Sequence, residues 1–368
     1  MTLAWEQREF SELGDLSRGK SRHRPRNDKL LYGGDYPFIQ TGDVAKAELF
    51  LNSFSQTYSD FGLQQSKLWN EGTLVITIAA NIADSAILAI KAAFPDSIIG
   101  FEAKDCDVVF VKFSLDKISE LLRSKVETSS QANLNHEKLS KIKFTVPKKE
   151  EQSAIGTFFR TLDTLIANQK RKLDGMKQLK KAYLQQMFPQ AGETTPKVRF
   201  SGFNAPWEMR RFSDILKVNS GKDYKHLNAG SIPVFGTGGY MLSIDESLSS
   251  VDAVGIGRKG TIDKPQLLKA PFWTVDTLFF IIPKQENDLL FIFTLAQHIE
   301  WAKMDESTGV PSLSKNNIEN LSMCIPSYNE QIAIGVFFQA IDKNITNQQT
   351  QLDSLIQLKS AYLQKMFV

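Results

Sequence analysis

The 368-residue sequence holds only two cysteines, Cys106 and Cys324, one in each half. So few excludes a disulfide framework and gives no metal-ligand spacing, and a reducing cytoplasm is the expected setting. Histidine is scarce too: His23, His136, His226 and His298 are scattered, with no nucleophile or carboxylate at a telling spacing. A catalytic triad and a zinc site therefore find no support. The longest apolar runs, Leu74 to Ala80 and Phe272 to Ile282, are too short to cross a bilayer. The opening MTLAWEQREF lacks the basic stretch and apolar run of a secretion signal. Also missing are a glycine-rich cofactor loop after a strand and an Asn/Asp-Pro-Pro-aromatic tetrad, which argues against an adenine methyltransferase. A large net charge is absent as well, the balance being +3. The excess is local: residues 147–190 carry nine basic and four acidic groups, and the remainder is close to neutral. Near-neutral segments with local basic loops stay compatible with a sequence-selective DNA binder, which gains nothing from a large nonspecific phosphate term.

What the chain does have is a repeat. Pro147 to Phe188 matches Pro326 to Phe367 at a constant offset of 179, with 23 of 42 positions identical and no gap. A second match, at an offset of 202, links Trp5, Glu6, Arg8, Phe10, Ser11, Gly19 and Lys20 with Trp207, Glu208, Arg210, Phe212, Ser213, Gly221 and Lys222. Each half thus has similar ends and a middle that differs in sequence and length. The length is too great for one core. The expected order is a globular segment over 1–146, a helix over 147–190, a second globular segment over 191–325 and a second helix over 326–368.

Both helical repeats open with proline followed by glutamate in the first turn, where the helix dipole favours it. Apolar positions at Ile155, Phe158, Leu162, Leu165, Met176, Leu179 and Tyr183 follow the spacing of a coiled-coil seam. Ile334, Phe337, Ile341, Leu355, Leu358 and Tyr362 repeat it in the second copy. Polar residues interrupt both seams, Gln169 and Lys172 in one, Asn344, Gln348 and Gln351 in the other. Two shorter helices with a bend between them would explain the interruption, and so would an antiparallel pair whose polar layers meet. In the second case about 40 helical residues span roughly 60 Å, and two attached readers face DNA in opposite orientations, as a homodimer faces a palindrome.

The globular segments mix short β-rich runs with glycine and proline, and an α+β fold with a curved, irregular sheet is expected for each. Leu74 to Ile78, Val108 to Phe113, Val251 to Ile256 and Leu278 to Ile282 read as strands. Ile118 to Lys125 and Leu289 to Lys303 read as helices. A basic strip of Arg18, Lys20, Arg22, Arg24, Arg26 and Lys29 around His23 has the character of a phosphate-contacting loop, although a solvated surface loop would look the same. The second half answers it with Lys222, Tyr224, Lys225 and His226 at the matching place. Arg258 and Lys259, in GIGRKGTI, fit either a DNA contact or a tight turn. Tyr36 to Asp43 and Ile232 to Tyr240 are further base-reading candidates. Gly14, Gly19, Lys20 and Ser21 form a phosphate-loop pattern, but RHRPRND follows in place of a helix, and the counterpart at 216–223 keeps only Gly221 and Lys222.

With the motifs TGVPSLSKNNIENLSMCIPSYNEQIAIGVFFQAIDKNI, from Thr308 to Ile345, and its weaker partner from Gln131 to Ile166, the chain resembles the type I restriction-modification specificity subunit over nearly its whole length. IPVFGTGGY, VGIGRKGTI and FWTVDTLF in the second half add to the likeness. The resemblance implies two target-recognition domains held apart by paired antiparallel helices, a bipartite DNA target, and no catalysis by the chain itself. It implies two modification subunits that transfer methyl from S-adenosylmethionine to adenine, and restriction subunits that use ATP and magnesium; the chain itself would need no cofactor. It also implies that the helices dock the partners, with Lys170, Arg171 and Lys172 as candidate positions, although these would suit plain solvent exposure equally. A nucleotide hydrolase on the Gly14 to Ser21 loop and a coiled-coil scaffold without DNA affinity are the rival readings.

Overall fold

A computed structural model describes residues 5–127, 134–305 and 307–367. Gln131, Ala132 and Asn133, at the start of the weaker motif, lie outside the described residues. The chain divides into two compact units, one of residues 1–170 with 350–368, the other of residues 171–349. Both divisions fall inside long helices. The central helix runs Lys149–Gln186 and the C-terminal helix Tyr328–Met366. Each unit therefore contains the first part of one helix and the last part of the other.

Within the first unit the two helix segments run antiparallel. Phe158 meets Tyr362 edge to face with centroids 5.1 Å apart, Asp163 pairs with Lys359 at 2.5 Å, and Gln169 Nε2 donates to Gln351 Oε1 at 3.1 Å. The second unit repeats this with the helices exchanged: Phe337 meets Tyr183 at 5.1 Å and Asp342 pairs with Lys180 at 2.5 Å. Residues at an offset of 179 make the same contacts in both units because they are the same residues. The seam differs from expectation at more than one layer, and Leu165 is 47% exposed. Leu179 and Leu358 are 51% and 42% exposed, whereas Leu173 and Leu352 are buried. Lys172 is also exposed.

Each globular part is α+β, with three sheets in corresponding roles, two of which differ in strand number. Its first and last strands form a two-stranded ribbon, Glu6–Glu9 with Lys143–Val146 in one unit and Glu208–Arg211 with Ser322–Ile325 in the other. A larger core sheet follows, antiparallel except where Phe50–Leu51 pairs in parallel with Ser85–Leu88 at the edge of the first unit's sheet. In the first unit the row Ser17, Gly100, Val75, Ala86 runs across it, and in the second the row Asn219, Phe280, Gly255, Gln266. A third, smaller sheet contains Tyr32–Phe38 in the first unit and Ala229–Gly236 in the second.

These rows locate the length difference between the halves. The offset is 202 at Gly19 and Gly221, but it has fallen to 180 at Ile76 and Ile256, which occupy equivalent places beside Ile99 and Phe279. The extra residues of the first unit therefore lie between its first core strand and Ile76, the stretch that builds the smaller sheet.

Val108 to Phe113, expected as a strand, instead opens the helix Val108–Glu127. The Asp107 carboxylate accepts from the amides of Val109 and Phe110 and caps the first turn. Phe110, Val111, Leu115, Ile118 and Leu122 recur at helical spacing on the core side, so β-branched propensity loses to packing. Leu289–His298 is helical, stopping short of the expected end at Lys303, and is capped by Asp288 in the same way. Gln152 and Gln331, one per long helix, accept from the backbone amides of Asp107 and Asp288. Each glutamine also donates to the carbonyl of the proline that precedes its helix. The repeated glutamine thus ties each long helix to the capping helix of its own unit.

Candidate nucleic-acid interface

The basic strip begins with Arg18, the last residue of the strand Gly14–Arg18, and continues past Gly19. A Cβ at Gly19 would lie 2.3 Å from the carbonyl oxygens of Phe94 and Pro95; at Gly221 it would lie 2.0 Å from that of Val275. This close approach, repeated in both units, explains the shared Gly-Lys pair: each strand ends packed against a facing backbone, and only glycine fits. The phosphate-loop pattern is thereby accounted for. Gly14 sits inside a strand, and an irregular segment follows Ser21 up to the short 3-10 turn Lys29–Leu31, so no helix N-terminus is offered to a phosphate.

Within the strip the cations divide by task. The Arg24 guanidinium donates to the carbonyls of Ser21 and His23 at 2.6 and 2.8 Å, and Arg26 pairs with Asp96 at 2.7 Å. Arg18 reaches the carbonyl of the same Asp96. The half-buried His23 ring lies 2.8 Å from Asp28 and edge-on to Phe61. The Leu30 amide, and then the His23 imidazole, hold the Asp28 carboxyl below its ordinary value. These groups shape the loop. Lys20 and Arg22 are exposed, and among the described residues neither side chain makes an ion pair, although their main chains are held by Ser66 and Gln65.

The second unit arranges its strip around Trp273. The Trp273 indole donates to the Lys222 carbonyl at 2.9 Å, and His226 lies edge-on to the same ring. Tyr224 packs against the apolar cluster of Val234, Ile244, Trp273 and Val275. Lys222 and Lys225 are exposed. Arg258 and Lys259 stand in a tight turn: a Cβ at Gly257 would lie 2.0 Å from the Thr261 carbonyl, and Gly260 has φ +96°. The Arg258 guanidinium lies over the Phe279 ring, and Lys259 is exposed. Sequence reasoning could not separate the loop-building cations from the exposed ones, because the distinction depends on Asp96, Phe279 and Trp273, which arrive from a turn and two strands far along the chain. Among the described residues no His, Cys, Asp and Glu cluster suits a metal ion, and no helix is long and apolar enough to cross a membrane.

An exposed lysine or arginine that neutralises a DNA phosphate releases a counterion, so removing it lowers the salt dependence of binding. Replacing Lys20 and Arg22 together with alanine is expected to reduce the slope of log affinity against log salt by about two. Fluorescence anisotropy over a salt series on one duplex measures this; an unchanged slope would mean that the strip does not meet phosphate.

Residues 4–178 and 204–357 match the family described as type I restriction modification DNA specificity domain, and the chain belongs to that family. Its role is accordingly DNA sequence specificity within type I restriction-modification, and it is not itself a catalyst. Among curated relatives, the type I restriction enzyme MjaIX specificity subunit of Methanocaldococcus jannaschii is 22% identical, over 98% of this chain and 92% of its own length. The EcoprrI specificity subunit of Escherichia coli is 20% identical, over 93% of this chain and 88% of its own. In fold, the chain is similar to the crystal structure of the type I restriction-modification S subunit from M. genitalium, with a TM-score of 0.69 at 16% identity, covering 100% of this chain and 97% of the other.

Proposed function

We propose that this specificity subunit reads a bipartite, asymmetric DNA sequence, one half-site per recognition domain. Residues 1–146 and 191–325 act as the readers, and 147–190 and 326–368 as the spacer that sets the interval between the half-sites. The observation that carries the reading is the pair of units themselves. They share a core, a capping helix and a helix contact set, and they differ in the smaller sheet. One frame carrying two unlike surfaces is what reading two unlike half-sites requires. Lys20, Arg22, Lys222, Lys225 and Lys259 would meet phosphates, with His23, Arg24, Arg26, Tyr224, His226 and Arg258 shaping or flanking the loops that present them. Such contacts position a protein on DNA without specifying bases.

The subunit works with two modification subunits, which use S-adenosylmethionine, and with restriction subunits, which use ATP and magnesium; the long helices form the docking surface. Co-expression with the modification partners followed by methylome sequencing tests the reading. Two short defined tracts separated by an undefined gap are expected, and exchanging residues 1–146 for another reader should change one tract only. If both tracts changed together, independent reading would be wrong. Absence of binding to a random duplex library would turn the chain into a scaffold.

A further inference from the structure

The smaller sheet of the second unit ends in a hairpin between Ala229–Gly236 and Gly239–Ile244. Its turn is Thr237 and Gly238, and Gly239 has φ +108°, a value that favours glycine. Pairing runs Val234 with Leu242 and then Phe235 with Tyr240, so Met241 is an extra residue, a β-bulge. Regular strands send neighbouring side chains to opposite faces. The bulge breaks that alternation and leaves both Tyr240 and Met241 exposed, at 63% and 49%. Two adjacent large apolar side chains in water at a hairpin tip contribute little to the core.

The tip is held firmly. Gln266 Nε2 donates to the carbonyls of Gly236 and Thr237 at 2.9 and 3.1 Å, anchoring the turn to the edge of the larger sheet. The turn carrying Arg258 and Lys259 abuts it, since a Cβ at Gly260 would lie 3.8 Å from Thr237 Oγ1. The Tyr240 hydroxyl lies 3.1 Å from Ser243 Oγ, which fixes the ring's direction. Among the described residues the first unit has nothing like this tip. Phe38 occupies the place of Phe235, each being paired in parallel with the strand that follows (Ala93, Thr274), but the connection to its partner Gln56 spans residues 39–55 and includes the helix Thr41–Lys46. In the second unit that connection is residues 236–239. The hairpin tip is therefore a point where the two readers differ most, beside exposed positive charge.

We propose that Tyr240 and Met241 are specificity-determining residues that enter the DNA groove and read base edges of the second half-site by apolar contact, while the neighbouring Lys259 holds phosphate. The major groove admits a two-stranded β-ribbon, and its thymine methyl groups are the apolar feature such side chains would match. The proposal rests on the DNA-reading role proposed above and adds the residues that carry it.

The test uses the full chain in complex with its modification subunits. Methylome sequencing compares wild type with Tyr240→Ala and with Met241→Ala, and anisotropy on a nonspecific duplex over a salt series is measured in parallel. Both side chains are exposed, so unchanged hydrogen exchange in the second unit confirms the fold. The expected result is a loss of about tenfold or more in base discrimination at one or two positions of one tract, the other tract intact and the nonspecific salt slope unchanged. Wild-type specificity retained in both variants overturns the proposal while leaving the subunit's reading role standing. A wild type that gives no defined tract overturns the reading role itself.

Discussion

Replacing Phe367 with alanine should destabilise the first unit by about 3–5 kcal/mol, the usual cost of truncating a buried phenylalanine. Phe367 is 4% exposed just past the C-terminal helix, yet its ring lies 5.2 Å from Phe110 and 5.6 Å from Phe159, inside a core whose other buried residues all come from the first 170. Its carbonyl also accepts from the Lys117 ammonium. The cavity left behind would be bordered by Phe110 and Phe159, each fixed on its own helix. Hydrogen exchange followed by mass spectrometry gives a local readout. Protection should fall in the strands Leu74–Thr77 and Ile98–Ala103, and Ala253–Gly257 should keep its own. Equal loss in both sets would mean that the two units unfold together, and no loss in either would remove Phe367 from the first core.

Arg199→Ala is expected to cost a similar amount in the second unit. The Arg199 guanidinium grips Glu330 with both donors, Nε to Oε1 at 2.7 Å and Nη2 to Oε2 at 2.8 Å, and Glu330 is 1% exposed. The fork-shaped match of guanidinium and carboxylate is the strong form of this contact. It raises the Arg199 pKa further above its already high value through the bond to Glu330. Deleting the arginine strands a buried carboxylate, and breaking such a pair from one side costs about 3–5 kcal/mol. Adding Glu330→Met to Arg199→Met removes both charges, so the double variant should be much more stable than Arg199→Ala. Urea unfolding followed by tryptophan fluorescence would distinguish them, and a single variant that loses under about 1 kcal/mol would show the pair to be unimportant.

The repeat does not foretell that pair. Glu151 is the residue equivalent to Glu330, but it is exposed and accepts from the Trp5 indole at 3.2 Å. In the second unit Arg199, from the segment after the central helix, takes the carboxylate, and the Trp207 indole nitrogen is buried without a hydrogen-bond partner among the described residues. The same two residues in the same frame have different partners because a third residue arrives in one unit only. The seam shows the same limit. Leu173 and Leu352 were as visible in the sequence as Leu179 and Leu358, yet a linear spacing rule cannot say which leucine of a helix turns inward once the other helix is in place.

What the sequence by itself determined is that the chain is built twice on one plan, a globular segment followed by a helical repeat; that each repeat is a single long helix, and that the segments pair antiparallel, the structure decided. Once Asp163 meets Lys359, the identical residues at an offset of 179 require Asp342 to meet Lys180. Repeated chemistry allows few other pairings. Only the tertiary structure decided that Val108 to Phe113 is helical, which basic side chains build their loops and which face solvent, and that Tyr240 and Met241 stand outward on a bulge. Those outcomes depend on a cap, on a facing carboxylate or on strand register, and each is supplied by residues far along the chain, beyond the reach of local propensity.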